Sequence, residues 1–219
     1  MISVVIPTLN AERLLPRCFD SLITAAVRGV IREVIVADGG SGDATLAIAD
    51  AAGAHIVRAG RRRGAQLAAG AEAARSDWIL FLHPETALEP GWEVEVESFL
   101  HQAMAERPRA AAFRFALEDF GAPARRAEAK AAFRCWLLAL PYGEQGLLTP
   151  RRLYKKVGGY RDLPRLEDAD IVRRIGRGRL VMLRSRAVNS ARPRQGWLKP
   201  IALSLLHLLR VPSSVMAKL

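Results

Sequence analysis

Cysteine is almost missing from this chain: Cys18 and Cys135 are the only two in 219 residues, and neither belongs to a CxxC pair. That excludes a disulfide framework and a structural zinc site of the usual kind, and it fits a reducing compartment. Long apolar runs are lacking as well. The longest, Pro200 to Leu209, is bounded by Lys199 and Arg210 and is about half of the ~20 residues a membrane helix needs. The opening Met1-Ile2-Ser3-Val4-Val5-Ile6-Pro7 has no basic start and no small-residue cleavage site, so it does not read as a signal peptide and a cytoplasmic protein is expected. No internal repeat or low-complexity linker divides the chain. His55, His101 and His207 have no ligand spacing and are expected to do no chemistry.

What is present is ordinary globular composition, 50% hydrophobic and 25% charged, which argues against disorder, collagen-like repeats and a coiled coil. The 33 basic and 22 acidic residues leave a net charge of +11, a balance that invites nucleic acid, anionic lipid or phosphorylated substrates. The arginines are spread along the chain and only Arg61-Arg62-Arg63 forms a tight run, so no nucleic-acid partner is expected.

Apolar β-branched runs at Ile2 to Ile6, Val34 to Ala37, Ile56-Val57 and Trp78 to Leu82 read as buried strands. Between them, helical spacing predicts helices over 12–28, up to about Ala52, and Gly64 to Ala74. Strands alternating with helices at this pitch imply an α/β fold with a mainly parallel central sheet flanked by helices. The second half predicts helices near 91–107 and 124–139, a strand Ala111 to Leu117, a loop Pro141 to Gly146, a Gly158-Gly159-Tyr160 turn, a helix opened by Leu166-Glu167-Asp168-Ala169-Asp170, and a strand near 179–183. One domain over 1–219 is expected, with a nucleotide-binding half (1–86), an acceptor and catalytic half (87–196) and a C-terminal helix (197–219).

Ligands of such sheets sit at the carboxyl ends of the strands. This selects Pro7 to Asn10, Asp38 to Asp43, Arg61 to Gln66 and His83 to Thr86, which should share one rim. No GxGxxG follows the first strand, and no Walker pattern is present. The residues instead suit a nucleotide sugar: Asp38 can accept bonds from a base or ribose, Gly39, Gly40 and Gly42 let the backbone come close, and Arg61 to Arg63 can offset a diphosphate. The plain alternative for Asp38 to Asp43 is a turn in which Ser41 or Asp43 caps the next helix.

In order, these segments resemble the inverting, nucleotide-sugar-dependent glycosyltransferases of family 2, which have the GT-A fold, a Rossmann-like nucleotide-diphospho-sugar transferase architecture. The segments are Ser3 to Asn10, Glu33 to Thr45, Arg63-Gly64-Ala65-Gln66, Phe81-Leu82-His83-Pro84-Glu85-Thr86, Pro141 to Gly146, Glu167-Asp168-Ala169-Asp170 and Ser190-Ala191-Arg192. They are most similar to a small bacterial arsenosugar-biosynthesis-like subgroup. The resemblance implies a nucleotide-sugar site drawn from Pro7, Thr8, Asn10, Asp38, Gly39, Arg63, Gln66, His83, Glu144, Gln145 and Arg192. It implies Asp168 as general base with Glu167 beside it, at a helix start where the dipole favours a carboxylate. The family's metal-binding Asp-x-Asp is His83-Pro84-Glu85 here, so Glu85, with or without His83, would bind Mn²⁺ or Mg²⁺, a nitrogen ligand favouring Mn²⁺. The donor would be UDP- or GDP-linked.

The leucine-rich stretch from Trp197 to Arg210 reads as a helix docked on the core, or as an interfacial helix that meets lipid-linked acceptors at the inner face of the membrane. A non-catalytic nucleotide-sugar-binding protein and a nucleotidyltransferase are the alternative functions on a sheet of this kind.

Overall fold

The computed structural model describes residues 1–105, 108–119, 121–138, 141 and 143–190. Along the chain run β1 (Ile2–Thr8), α1 (Leu15–Asp20), α2 (Ile23–Val27), β2 (Ile31–Asp38), α3 (Thr45–Ala51), β3 (His55–Arg58), α4 (Arg63–Ala73), β4 (Trp78–Phe81) and β5 (Thr86–Leu88). They are followed by α5 (Trp92–Ala105), β6 (Ala110–Leu117), α6 (Ala122–Leu138), β7 (Leu147–Pro150), α7 (Arg151–Lys156), α8 (Glu167–Ile175) and β8 (Leu180–Asn189). The eight strands form one sheet in the order β3-β2-β1-β4-β7-β6-β8-β5.

The first half is parallel as expected, with β1 paired to β2 on one side and β4 on the other. All seven residues of β1 are buried. Alternation along the strands divides the core between the two faces. Ile2, Val4, Ile6, Leu80 and Leu82 pack with Leu15, Cys18, Trp92 and Phe113, whereas Val5, Ile35, Ile79 and Phe81 pack with Leu67, Tyr154, Tyr160 and Ile171. Pro7 is tolerated in this central strand because it falls beyond the β1–β4 ladder, which ends at Val5↔Phe81.

The second half departs from the expectation. β7 enters antiparallel between β4 and β6, and the three-residue β5 pairs antiparallel with β8, so only the β6–β8 pairing is parallel there. β8 reaches Asn189 instead of ending near 183, because its whole length is taken up by β6 and β5. The helix expected over 12–28 is two short helices. The Ser21 hydroxyl bonds back to the Cys18 carbonyl at 2.7 Å, and the Ser21 carbonyl accepts from the Trp92 indole at 3.0 Å, which breaks the helical ladder between them. Among the described residues, no helix is long and apolar enough to cross a membrane.

Asn189 closes the carboxyl end of β8. Its side-chain oxygen accepts from Thr86 at 2.7 Å and its amide donates to the carbonyls of Glu144 at 3.0 Å and Ala187 at 3.1 Å. The next residue's N–H donates to the Glu85 carbonyl at 3.3 Å. Strands β5 and β8 and the 143–146 turn are thus joined at one buried amide. Asn189→Ala leaves several buried partners unsatisfied, and a stability loss of about 2–4 kcal/mol is expected, read as a lower midpoint in urea with an unchanged slope.

Candidate functional site

The ends of β1 and β2 build the first wall. Asp38 is buried, and each of its oxygens accepts two bonds: Oδ1 from the hydroxyls of Thr8 (3.0 Å) and Ser41 (2.5 Å), and Oδ2 from the N–H groups of Gly40 (2.8 Å) and Ser41 (2.9 Å). Burial raises its pKa, but the bonds from Ser41, Gly40 and Thr8 outweigh this and hold the carboxyl below its usual range. Its four acceptor positions are filled, so Asp38 shapes the turn in this conformation instead of reaching out for a base. Asn10 locks the same turn from the other strand: its N–H donates to Ser41 Oγ and its side-chain oxygen accepts from Gly42 N–H, both at 2.9 Å. Asn10 has φ of 53°, a left-handed conformation that asparagine accepts better than most residues.

The start of α4 forms the next wall. Gln66 is buried against Gly39, where a Cβ would stand only 2.1 Å from its side-chain nitrogen, so these two expected site residues do meet. Arg63 faces α8, 3.9 Å from Glu167, and Arg62 reaches Asp162 at 3.3 Å.

The third wall is acidic. His83 follows β4 and is 2% exposed, yet neither ring nitrogen has a hydrogen-bond partner among the described residues. Nδ1 faces Glu85 Oε1 at 3.6 Å and Nε2 faces Asp168 Oδ2 at 3.8 Å. Burial pushes the Glu85 carboxyl up, but the His83 ring and Arg63 more than offset this and bring it to about 2. Burial raises the pKa of Glu167, and the adjacent Asp168 carboxylate adds to the shift. Asp168 lies in the first turn of α8, whose entry residue Leu166 is held at φ 64°. Gly143 seals the cluster: a Cβ there would stand 2.3 Å from both Asp168 Oδ2 and His83 Nε2.

Of the expected residues, Thr8, Asn10, Asp38, Gly39 and Gln66 lie against one another, Arg63, His83, Glu85, Glu167 and Asp168 form the acidic side, and Gln145 lies apart from both groups. Gln145 is buried and its amide donates to the Phe113 carbonyl at 3.0 Å beside Cys135, so it supports the turn from within the core. Glu144, next to it, is exposed. Arg192, Tyr142 and the expected C-terminal helix lie outside the described residues. Two residues were missed. Tyr160, read only as part of a turn, donates its hydroxyl to Asp168 Oδ1 at 3.0 Å. Asn189 carried no signal beyond a polar residue ending an apolar run.

The fit to a divalent cation is partial. Glu85 offers an ionised carboxylate and His83 an imidazole with no competing bond, a donor pair that suits Mn²⁺. Among the described residues no group of three or more His, Cys, Asp or Glu side chains could hold a metal, so an ion here needs further oxygens from its ligand.

A mainly parallel sheet with glycine-rich turns, an arginine helix start and a buried acidic cluster at one rim defines a GT-A nucleotide-diphospho-sugar transferase fold. The profile described as glycosyl transferase family 2 matches residues 3–113, and the chain belongs to that family. Staphylococcus aureus TarS, residues 1–349, superimposes with a TM-score of 0.69 at 15% identity, over 95% of this chain and 63% of that one, so this chain spans less than two thirds of the length of that protein. Glucosyl-3-phosphoglycerate synthase from Mycobacterium tuberculosis, in complex with Mn²⁺, UDP-glucose and phosphoglyceric acid, superimposes with a TM-score of 0.66 at 20% identity, over 98% of this chain and 81% of that one. No curated protein matches the sequence.

The close approach at Gly143 gives a direct check. Gly143→Ala must displace His83 or Asp168 and should lower the melting temperature by several degrees, the equivalent of about 1–3 kcal/mol. Gly42→Ala, whose Cβ would meet nothing within 4 Å, should leave it unchanged in the same calorimetric scan.

Proposed function

We propose that this chain is an inverting glycosyltransferase that takes a sugar from a nucleoside-diphosphate donor, UDP-linked first, with Asp168 as general base. The observation that carries this reading is Asp168 Oδ2, facing His83 and Gly143 at the rim where the Thr8, Asp38 and Gln66 walls meet the acidic one. In that reading the Asp168 carboxylate accepts the proton of an acceptor hydroxyl as its oxygen bonds to the anomeric carbon. The bond from that carbon to the diphosphate breaks, and its electron pair leaves on the diphosphate oxygen. Arg63 stands beside Glu167 to meet that charge. When bound through Glu85, with or without His83, a divalent cation would supply Lewis-acid stabilisation of the same leaving group.

Thr8, Asn10, Asp38, Gly39 and Gln66 hold the nucleotide pocket in shape, with Pro7 fixing the end of β1. The whole chain acts as one GT-A domain. The likeness to the arsenosugar-biosynthesis-like subgroup rests on the same ordered segments and specifies no acceptor. A lipid-linked acceptor met by a peripheral, cytoplasmic enzyme is the companion reading, and its carrier segment, 197–219, lies outside the described residues.

Two measurements test this. A nucleotide at ~100 times its dissociation constant stabilises a fold by about 2.7 kcal/mol, several degrees at this size. UDP or GDP with Mn²⁺ should give that shift and EDTA should remove it; no shift from any nucleotide, with or without metal, sinks the donor assignment. Asp168→Asn should lower turnover by at least ~10²-fold while the nucleotide-induced shift persists, and retained turnover rejects Asp168 as base. A full shift with no turnover in the unaltered protein favours the non-catalytic binding reading.

A further inference from the structure

We infer that Tyr160 is a positioning residue for Asp168: its hydroxyl holds one carboxylate oxygen so that the other is turned towards His83 and Gly143. The inference rests on the reading of Asp168 as base. Tyr160 lies in the connection between α7 and α8 and is 7% exposed. Its hydroxyl donates to Asp168 Oδ1 at 3.0 Å. Its backbone N–H donates to the Tyr154 hydroxyl, also at 3.0 Å, and its ring stands edge-on to Phe81 with centroids 4.9 Å apart.

Phe81 ends β4, two residues before His83, so Tyr160 is anchored to the sheet and reaches across to the helix that carries Asp168. The phenol therefore sets the distance between the base and the strand that delivers His83 and Glu85. The terminal torsion of an aspartate is broad and roughly two-fold, and without an external donor its two oxygens exchange places. With Oδ1 occupied by Tyr160, Oδ2 is the oxygen directed at His83 Nε2 (3.8 Å) and Gly143. Burial raises the Tyr160 phenol well above its usual pKa and Asp168 adds to this, so the hydroxyl keeps the proton it donates. Phenylalanine at this position would keep the ring contacts with Phe81 and Tyr154 and lose only the donor.

The test compares the unaltered protein with Tyr160→Phe, Asp168→Asn and the double variant. UDP release from UDP-glucose with Mn²⁺ and water as acceptor is measured, together with melting temperature. Tyr160→Phe should lower kcat by about ten- to a hundredfold, the range a hydrogen bond to a charged group is worth, with KM for UDP-glucose within about twofold of the original. The same substitution should shift the melting temperature less in the Asp168→Asn background, because the bond is already weakened there. Unchanged kcat in Tyr160→Phe, with Asp168→Asn inactive, overturns the inference and leaves the base reading standing. Turnover in Asp168→Asn overturns the base reading and the inference with it. A loss in Tyr160→Phe that matches the loss of folded protein makes the hydroxyl structural and also overturns it. If the unaltered protein releases no nucleotide from UDP-glucose, UDP-N-acetylglucosamine or GDP-mannose, the transferase reading falls first.

Discussion

Strand β1 is buried on both faces and paired on both edges, and this constraint decides where chemistry can occur in the molecule. A strand in that position can carry polar side chains only where a partner is supplied at once. Ser3 meets Glu33 at 2.6 Å and accepts from the Ser76 N–H at 3.0 Å. Thr8 meets Asp38. Thr8, Asp38 and His83 come where β1, β2 and β4 end, and because the three run parallel they end on the same side. The rim is thus a consequence of sheet topology, and the glycines, arginines and acids that follow each strand are brought together without any contact between them in sequence.

This explains which features could be read from the sequence. The strands of the first half are apolar runs long enough to stand out, and their carboxyl-end loops follow from the parallel rule, so Thr8, Asn10, Asp38, Gln66, His83 and Glu85 were found together. β5 and β7 carry only three and four residues, and their sequences, Thr-Ala-Leu and Leu-Leu-Thr-Pro, show no alternation. Their pairing is settled by β4, β6 and β8, which are distant in the chain. The break between α1 and α2 depends on a tryptophan 71 residues away. The Tyr160–Asp168 bond spans eight residues across a loop, a separation with no helical or strand period behind it. Gln145 entered the expected site through the family resemblance alone, and the bond its amide makes to the buried Phe113 carbonyl has no signal in the sequence.

Asp38 is satisfied entirely within its own turn and by the neighbouring strand. With both carboxylate oxygens saturated by four bonds, the turn after β2 is already closed onto β1. What such a turn offers a nucleotide is a preorganised shape, and a pocket ordered before binding loses less entropy when the ligand arrives. The left-handed Asn10 and the Gly39–Gln66 contact extend the same rigidity across the first two walls.

The acidic wall poses the opposite problem. Glu85, Asp168 and Glu167 are gathered around one imidazole and one nearby arginine, Arg63, which is itself half exposed and 3.9 Å from Glu167. A nucleoside diphosphate brings further negative charge into this neighbourhood, and the side chains present do not balance it. The Glu85 carboxyl is held low, at about 2, by the His83 ring and Arg63, so it adds negative charge to this wall. Glu85 and His83 are only two donors, fewer than the six or more ligands a hard divalent cation takes, so the described side chains do not by themselves make up a coordination sphere. The acidity of the rim and its two-donor pair therefore belong to one arrangement, and the proposal of a divalent cation rests on both together.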